Sequence, residues 1–294
     1  VTYSGGVSLH SVIVEDGAID ITAAGKIRAT TVVSSVDKDL NDIALVSTGD
    51  GILVSNVNSG SNNDVVLKAA GAIMEDGDNG TVIIADELHM NAGGAITVDT
   101  AVKTVHAATT GPGDISVQDE GGVVLESVVV ADGKINVQAG RGITAIFLES
   151  TKDSDNNDIR LIANEGQIGL GTVNAGRSGD VFLIAMPVVN ANHQFDPVIM
   201  KNLESDDLIT ADVLDIVNAG PVKLSTDANS VHVKTLHEGD IHLKEKNSIT
   251  LTEIESENGD IRVESGGGIQ LVTVSAGELG DVNVSSAGAI TGDG

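Results

Sequence analysis

The sequence predicts an all-β fold, a single parallel β-helix (β-solenoid) over residues 1–294 with three short strands per turn. Three observations carry that prediction. The first is a repeated grammar. Residues 240–294 read as DIHLKEKNSITLTEIESENG, DIRVESGGGIQLVTVSAGELG and DVNVSSAGAITGDG. Each line opens with Asp, a β-branched residue, a variable residue and an aliphatic one, and then carries a Gly or Asn turn and a second alternating run. The first two lines add a third short run, such as Glu253-Ile254-Glu255. The second observation is the line length of about 20 residues, the range in which a fixed period signals a solenoid. The third is composition. Aromatic residues are 1%, with no Trp, a single Tyr3 and three Phe. A compact core of this size normally fills its volume with aromatics, whereas a narrow solenoid core is filled by stacked Ile, Val and Leu.

The opening signature recurs at Ala18, Asp42, Asp64, Thr81, Ala95, Asp114, Lys134, Asp158, Asp180, Pro221, Asp240, Asp260 and Asp281. Most intervals are about 20–24 residues, which gives roughly 13–14 turns. A Gly or Asn precedes each start, for example Asn41, Asn63, Gly113, Asn157 and Gly259. These residues enter left-handed backbone angles cheaply, so each start follows a sharp corner. Within a start, the aliphatic pair of Ile43 and Leu45 shares one face because strand side chains alternate. The residue between such pairs is Ala44, Ser116, Arg160 or His242 in different turns, the scatter of a solvent face. Gly at 35 against Pro at 4 suits many tight corners and few interruptions of a ladder.

A longer period lies over the short one. Residues 6–67 align without a gap on residues 122–183, and 26 of the 62 pairs are identical. Super-repeats are therefore expected at about 6–121 and 122–267, with the start of a third at 268–294. One stretch breaks the grammar, residues 185–213, with Met186, Pro187, Phe195, Pro197 and the acidic run Glu204–Asp207. It reads as an irregular turn with a side loop.

The formal net charge is −27. Nucleic-acid binding needs Lys/Arg clusters, and adhesion to anionic lipid needs positive charge, so neither partner is expected. No apolar run is long enough for a membrane-spanning helix. The charge favours solubility and attracts divalent cations. With no Cys, no disulfide scaffold exists. The chain opens Val1-Thr2-Tyr3, which is expected of a mature piece or a slice of something longer.

Two readings of the acidic corners stand side by side. Asp240, Asp260 and Asp281 should stack on consecutive turns, and so should Asp42 with Asp64 and Asp158 with Asp180. Carboxylates one rung apart repel by on the order of 1 kcal/mol in water, and Ca2+, which prefers oxygen ligands, would relieve that. The loop holding Asp153, Asp155 and Asp158 is the best single candidate, with Asp37-Lys38-Asp39 its counterpart. It has neither the Gly nor the terminal Glu of an EF-hand. The other reading is that Asp after Gly or Asn is a turn former that bonds backbone. The seven histidines read as solvated side chains; His232, His237 and His242 look clustered in sequence but point to different faces. No catalytic or cofactor-binding residues are expected.

The segment Gly113-Asp114-Ile115-Ser116-Val117, followed by Gly121-Gly122-Val123-Val124-Leu125, resembles the haemagglutinin-repeat, filamentous-haemagglutinin-like surface proteins of bacteria. That resemblance implies a right-handed parallel β-helix, an extracellular or cell-surface location of bacterial type, and a role as adhesin or structural fibre. Neither end of the sequence reads as a cap, and an uncapped strand edge recruits another strand. The expected function is an extracellular structural fibre, its units stacking head to tail with copies of themselves or forming part of a giant fibrous surface protein. An adhesin stalk is the alternative. A polysaccharide-acting β-helix enzyme is a second, though neither the Lys/Arg cleft nor the carboxylate pair with aromatic platforms that such chemistry needs is visible.

Overall fold

The computed structural model describes residues 1–38, 40–77, 82–189, 195–196 and 198–292. The expected turn start at Thr81, Asp39 of the Asp37–Asp39 loop, and Pro197 lie outside the described residues. The protein is all-β, a parallel β-solenoid of about 13 turns with about 21 residues per turn. It divides into two compact units, residues 1–138 and 139–294.

In the first unit three ladders of inward side chains line the core. One runs through Val7, Ile27, Ile52, Ile73, Ile96 and Ile115. A second runs through Ile19, Ile43, Val65, Leu88, Val105 and Leu125. The third runs through Val12, Val32, Val57, Ile83, Thr100 and Asp119. The cause is visible strand by strand. In Ile43–Ser47 the residues alternate buried and half-buried, so parallel in-register pairing stacks each buried aliphatic on its counterpart about 4.8 Å away. Burying one Ile or Leu side chain stabilises by about 1.5–3 kcal/mol, and the ladders repeat that gain on every rung.

The second unit is built likewise. Ile143, Ile168, Met200, Val222, Ile241, Ile261 and Val282 form one ladder. Ile159, Val181, Leu214, Val231, Leu251 and Leu271 form the next. The third passes through Leu148, Val173, Ile209, Thr226, Glu245 and Ser265.

Two features differ from the expected regularity. Strands often run through a corner: Ile96–Thr109 and Val222–Thr235 are each 14 residues long. No Gly interrupts either corner, and side chains hold the bend instead. Buried Asp119 accepts the Thr100 hydroxyl at 2.8 Å, the Val102 N–H at 3.1 Å and the Gly121 N–H at 2.8 Å. Glu245 does the same for Thr226 (2.8 Å), Ala228 (3.1 Å) and Asn247 (2.8 Å). In addition, the turn starts do not share one corner. In the first unit Ile43 and Val65 belong to one ladder and Ile115 to another; in the second unit Ile159 and Val181 belong to one and Ile241 and Ile261 to another. Rungs of unequal length cause this: 24 residues separate the paired Ile19 and Ile43, but 17 separate the paired Leu88 and Val105.

Around residues 185–213 the ladder steps aside. Val188–Val189 pairs antiparallel with Phe195–Asp196, after which Met200–Asn202 rejoins Ile168–Leu170 in parallel. Residues 190–194 between them, including His193, are outside the described part.

Candidate functional site

The acidic corners come first. Asp240, Asp260 and Asp281 are exposed and stacked. The Asp240 Oδ1 accepts the Asp260 N–H at 2.9 Å, and the Asp260 Oδ1 accepts the Asp281 N–H at 2.9 Å. Elsewhere the same bond joins Asp42 to the Asp64 N–H (3.0 Å), Asp158 to the Asp180 N–H (3.2 Å) and Asp114 to the Lys134 N–H (2.8 Å). A corner Asp is thus a staple from one rung to the next, one oxygen holding a backbone donor that the sharp bend would otherwise strand. A groove of about 400 Å³ runs beside Asp240, Asp260 and Asp281, and His242, Arg262 and Asn283 share its walls.

Asp153 sits at the equivalent of Asp37, 116 residues earlier. Asp153 Oδ1 accepts the Ser178 N–H at 2.8 Å, and Asp37 Oδ1 accepts the Asn62 N–H at 2.9 Å. Each turn contains a glycine in the left-handed region, Gly176 at φ 84° and Gly60 at φ 90°. Asp155 is exposed. Crowding has an electrostatic consequence at Asp180. Burial pushes its carboxyl above the usual range, and the nearby Asp158, Asp212 and Asp155 push the same way, against the Val213 N–H that it accepts. Asp64 is raised likewise, by burial first and then by Asp42 and Glu87.

His232 is partly exposed and has carboxylate neighbours on both sides. His232 Nδ1 lies 2.8 Å from Asp215 Oδ1, and its Nε2 lies 3.2 Å from Glu253 Oε2, because the three residues occupy one position on three successive strands. His242 belongs to a separate strand, Ile241–Glu245.

The arrangement with the most chemical reach lies in the first unit. Strand Val82–Ala92 carries Glu87 and His89 two positions apart, hence on one face. Its neighbour Ile96–Thr109 places His106 in register beside His89. The two imidazoles stack with centroids 4.4 Å apart and planes 9° from parallel. Glu87 Oε2 lies 3.2 Å from His89 Nε2 and 3.8 Å from His106 Nε2. All three side chains are partly open to solvent, beside a shallow cavity of about 280 Å³ lined in part by Val66, Lys68, Met90 and Ser127. Sequence reasoning missed this group. The available signal was the Glu-x-His pattern together with a second His 17 residues on, the length of that one short rung.

Compared with models of known protein families, with curated proteins and with solved structures, the chain matches none of them. The fold alone is compatible with β-helix repeat proteins.

Proposed function

We propose that the protein is a structural fibre component of the bacterial cell surface or extracellular medium, in which solenoid rungs continue from one copy to the next by head-to-tail strand pairing, without catalysis. The carrying observation is the repetition of one rung grammar in register: Ile241, Ile261 and Val282 stack in one parallel ladder, and Leu251 and Leu271 in the next. Each rung, Val282–Ser286 included, offers its backbone row and its aliphatic residues to another rung of the same grammar. A second copy or an adjoining stretch of a longer polypeptide supplies such a rung equally well. The acidic surface supports the reading, because like charge opposes lateral clumping while leaving end-to-end pairing intact.

Negative-stain electron microscopy and light scattering of the purified chain test this. The expected result is filaments, and their loss in Val282→Lys and Val284→Lys, which place charge on the pairing edge, with an unchanged circular dichroism spectrum. A strictly monomeric wild-type chain at high concentration would count against self-assembly.

A further inference from the structure

We infer that Glu87, His89 and His106 form a binding site for a zinc-type divalent metal ion, with one coordination position open to solvent. Their three ligand atoms lie within 4.8 Å of one another. Zinc binds His nitrogen and carboxylate oxygen at about 2.0–2.2 Å, so two ligands of one tetrahedral ion sit about 3.3 Å apart. The separations from Glu87 Oε2 to the two Nε2 atoms, 3.2 and 3.8 Å, already bracket that spacing. Closing the shell requires the two imidazoles to turn out of their parallel stack so that both Nε2 lone pairs converge on one ion, a side-chain rotation on strands that stay paired.

The backbone supplies the preorganisation. His89 and His106 are held one rung apart by parallel pairing that continues from Leu88–Val105 to Ala92–Thr109. The Glu87 N–H donates to Asp64 Oδ1 at 3.3 Å, which pins the middle of that strand beside the site and adds a second carboxylate to the neighbourhood. An ion held by Nε2 of both rings and by the Glu87 carboxylate would draw together three side chains that the paired strands already place side by side.

Two imidazoles and one carboxylate select the metal class. Imidazole suits Zn2+, Cu2+ and Ni2+, while Ca2+ takes six to eight oxygen ligands. Three protein ligands leave a position for water or for a donor from a binding partner. The site is therefore distinct in chemistry from the all-carboxylate corners, and it does not depend on the fibre reading.

The test is calorimetric titration of the folded chain with ZnCl2, alongside CaCl2, and the visible absorption spectrum with CoCl2. The expected result is saturable Zn2+ binding and an intense tetrahedral Co2+ spectrum. His89→Ala and His106→Ala should each weaken Zn2+ at least about tenfold and abolish that spectrum. Glu87→Gln should also weaken Zn2+ and shift the spectrum. His232→Ala, which alters another carboxylate-flanked histidine, should leave both readouts unchanged. All four side chains lie on the solvent face, so circular dichroism melting is expected to verify folding in every variant. Zn2+ binding that survives His89→Ala and His106→Ala, that moves instead with His232→Ala, or that is no stronger than Ca2+ binding, would overturn the assignment.

Discussion

Arg177 grips Asp227 from fifty positions away: its Nη2 lies 3.0 and 2.9 Å from the two carboxylate oxygens. The Asp227 side chain is 6% exposed, while that of Arg177 is 55% exposed. Lys246 at 3.4 Å and the Asn247 amide at 2.8 Å complete the shell. Burial alone would push the Asp227 carboxyl up, but Asn247, Arg177 and Lys246 together hold it below its ordinary value. Removing one partner of a fully buried pair costs about 3–5 kcal/mol. Arg177 is more than half exposed and two donors remain, so Arg177→Ala should cost less, about 1–2 kcal/mol. Urea unfolding at pH 7 measures it. The pH dependence has a fixed sign. A carboxyl with a depressed folded pKa contributes stability that is complete above its unfolded value of about 3.9 and is lost as pH falls through the folded value. Arg177→Ala should therefore cost less in acid than at pH 7.

Glu245 predicts the opposite slope. Burial pushes its carboxyl up, against the three donors that it accepts and with Asp227 adding to the rise. A raised folded pKa means full stability below the unfolded value of about 4.3, diminishing as pH rises through the folded value. Glu245→Gln should gain on the wild type as pH rises from about 4 to 7. Unfolding free energies of both proteins across that range give the slope directly, and a flat difference would contradict the burial argument.

At Asp180 the crowding of carboxylates is the target. Asp180→Asn keeps an oxygen for the Val213 N–H, 3.1 Å away, and removes repulsion from Asp158, Asp212 and Asp155. The expected gain at pH 7 and low salt is up to about 1 kcal/mol, shrinking in concentrated salt. Thermal melting at two salt concentrations is the measurement.

Core ladders and surface should separate cleanly. Ile96 is fully buried, and its Ala variant should lose about 2–5 kcal/mol. Ile13, 63% exposed, should tolerate the same change within about 0.5 kcal/mol. In a repeat architecture each rung contacts its neighbours, so hydrogen exchange should show the Ile96→Ala damage centred on Ile73 and Ile115, its ladder partners.

Glycines divide by what a Cβ would meet. At Gly93 it would fall on the carbonyl oxygen of Ala70, a backbone atom that cannot turn away, whereas Gly5 has nothing within 4 Å. Gly93→Ala should cost at least about 1–3 kcal/mol and Gly5→Ala almost nothing. Paired chemical denaturation curves decide it.

Much of the fold was legible because solenoid physics is local. The alternation of Ile43-Ala44-Leu45, the corner Asp residues and the Asn-Asp steps each declare their role within a few positions. The stack of Asp240, Asp260 and Asp281 was equally legible, since those rungs have nearly equal lengths. What escaped was whatever depended on unequal rungs. His89 meets His106 only because one rung is short, and Arg177 reaches Asp227 only because a longer excursion intervenes. Corners without glycine were also hidden, because a buried Asp119 or Glu245 replaced the expected turn residue.

The amino-acid order by itself determined that this chain winds into parallel rungs around an aliphatic, nearly aromatic-free axis, because strand periodicity and turn chemistry act over neighbouring residues. Only the tertiary structure decided which ladder each segment joins, and hence which charged and imidazole side chains become neighbours. That choice is set by the count of residues in every rung and by the hydrogen bonds that hold its corners, and a shift of one residue would turn the facing side chains from solvent to core.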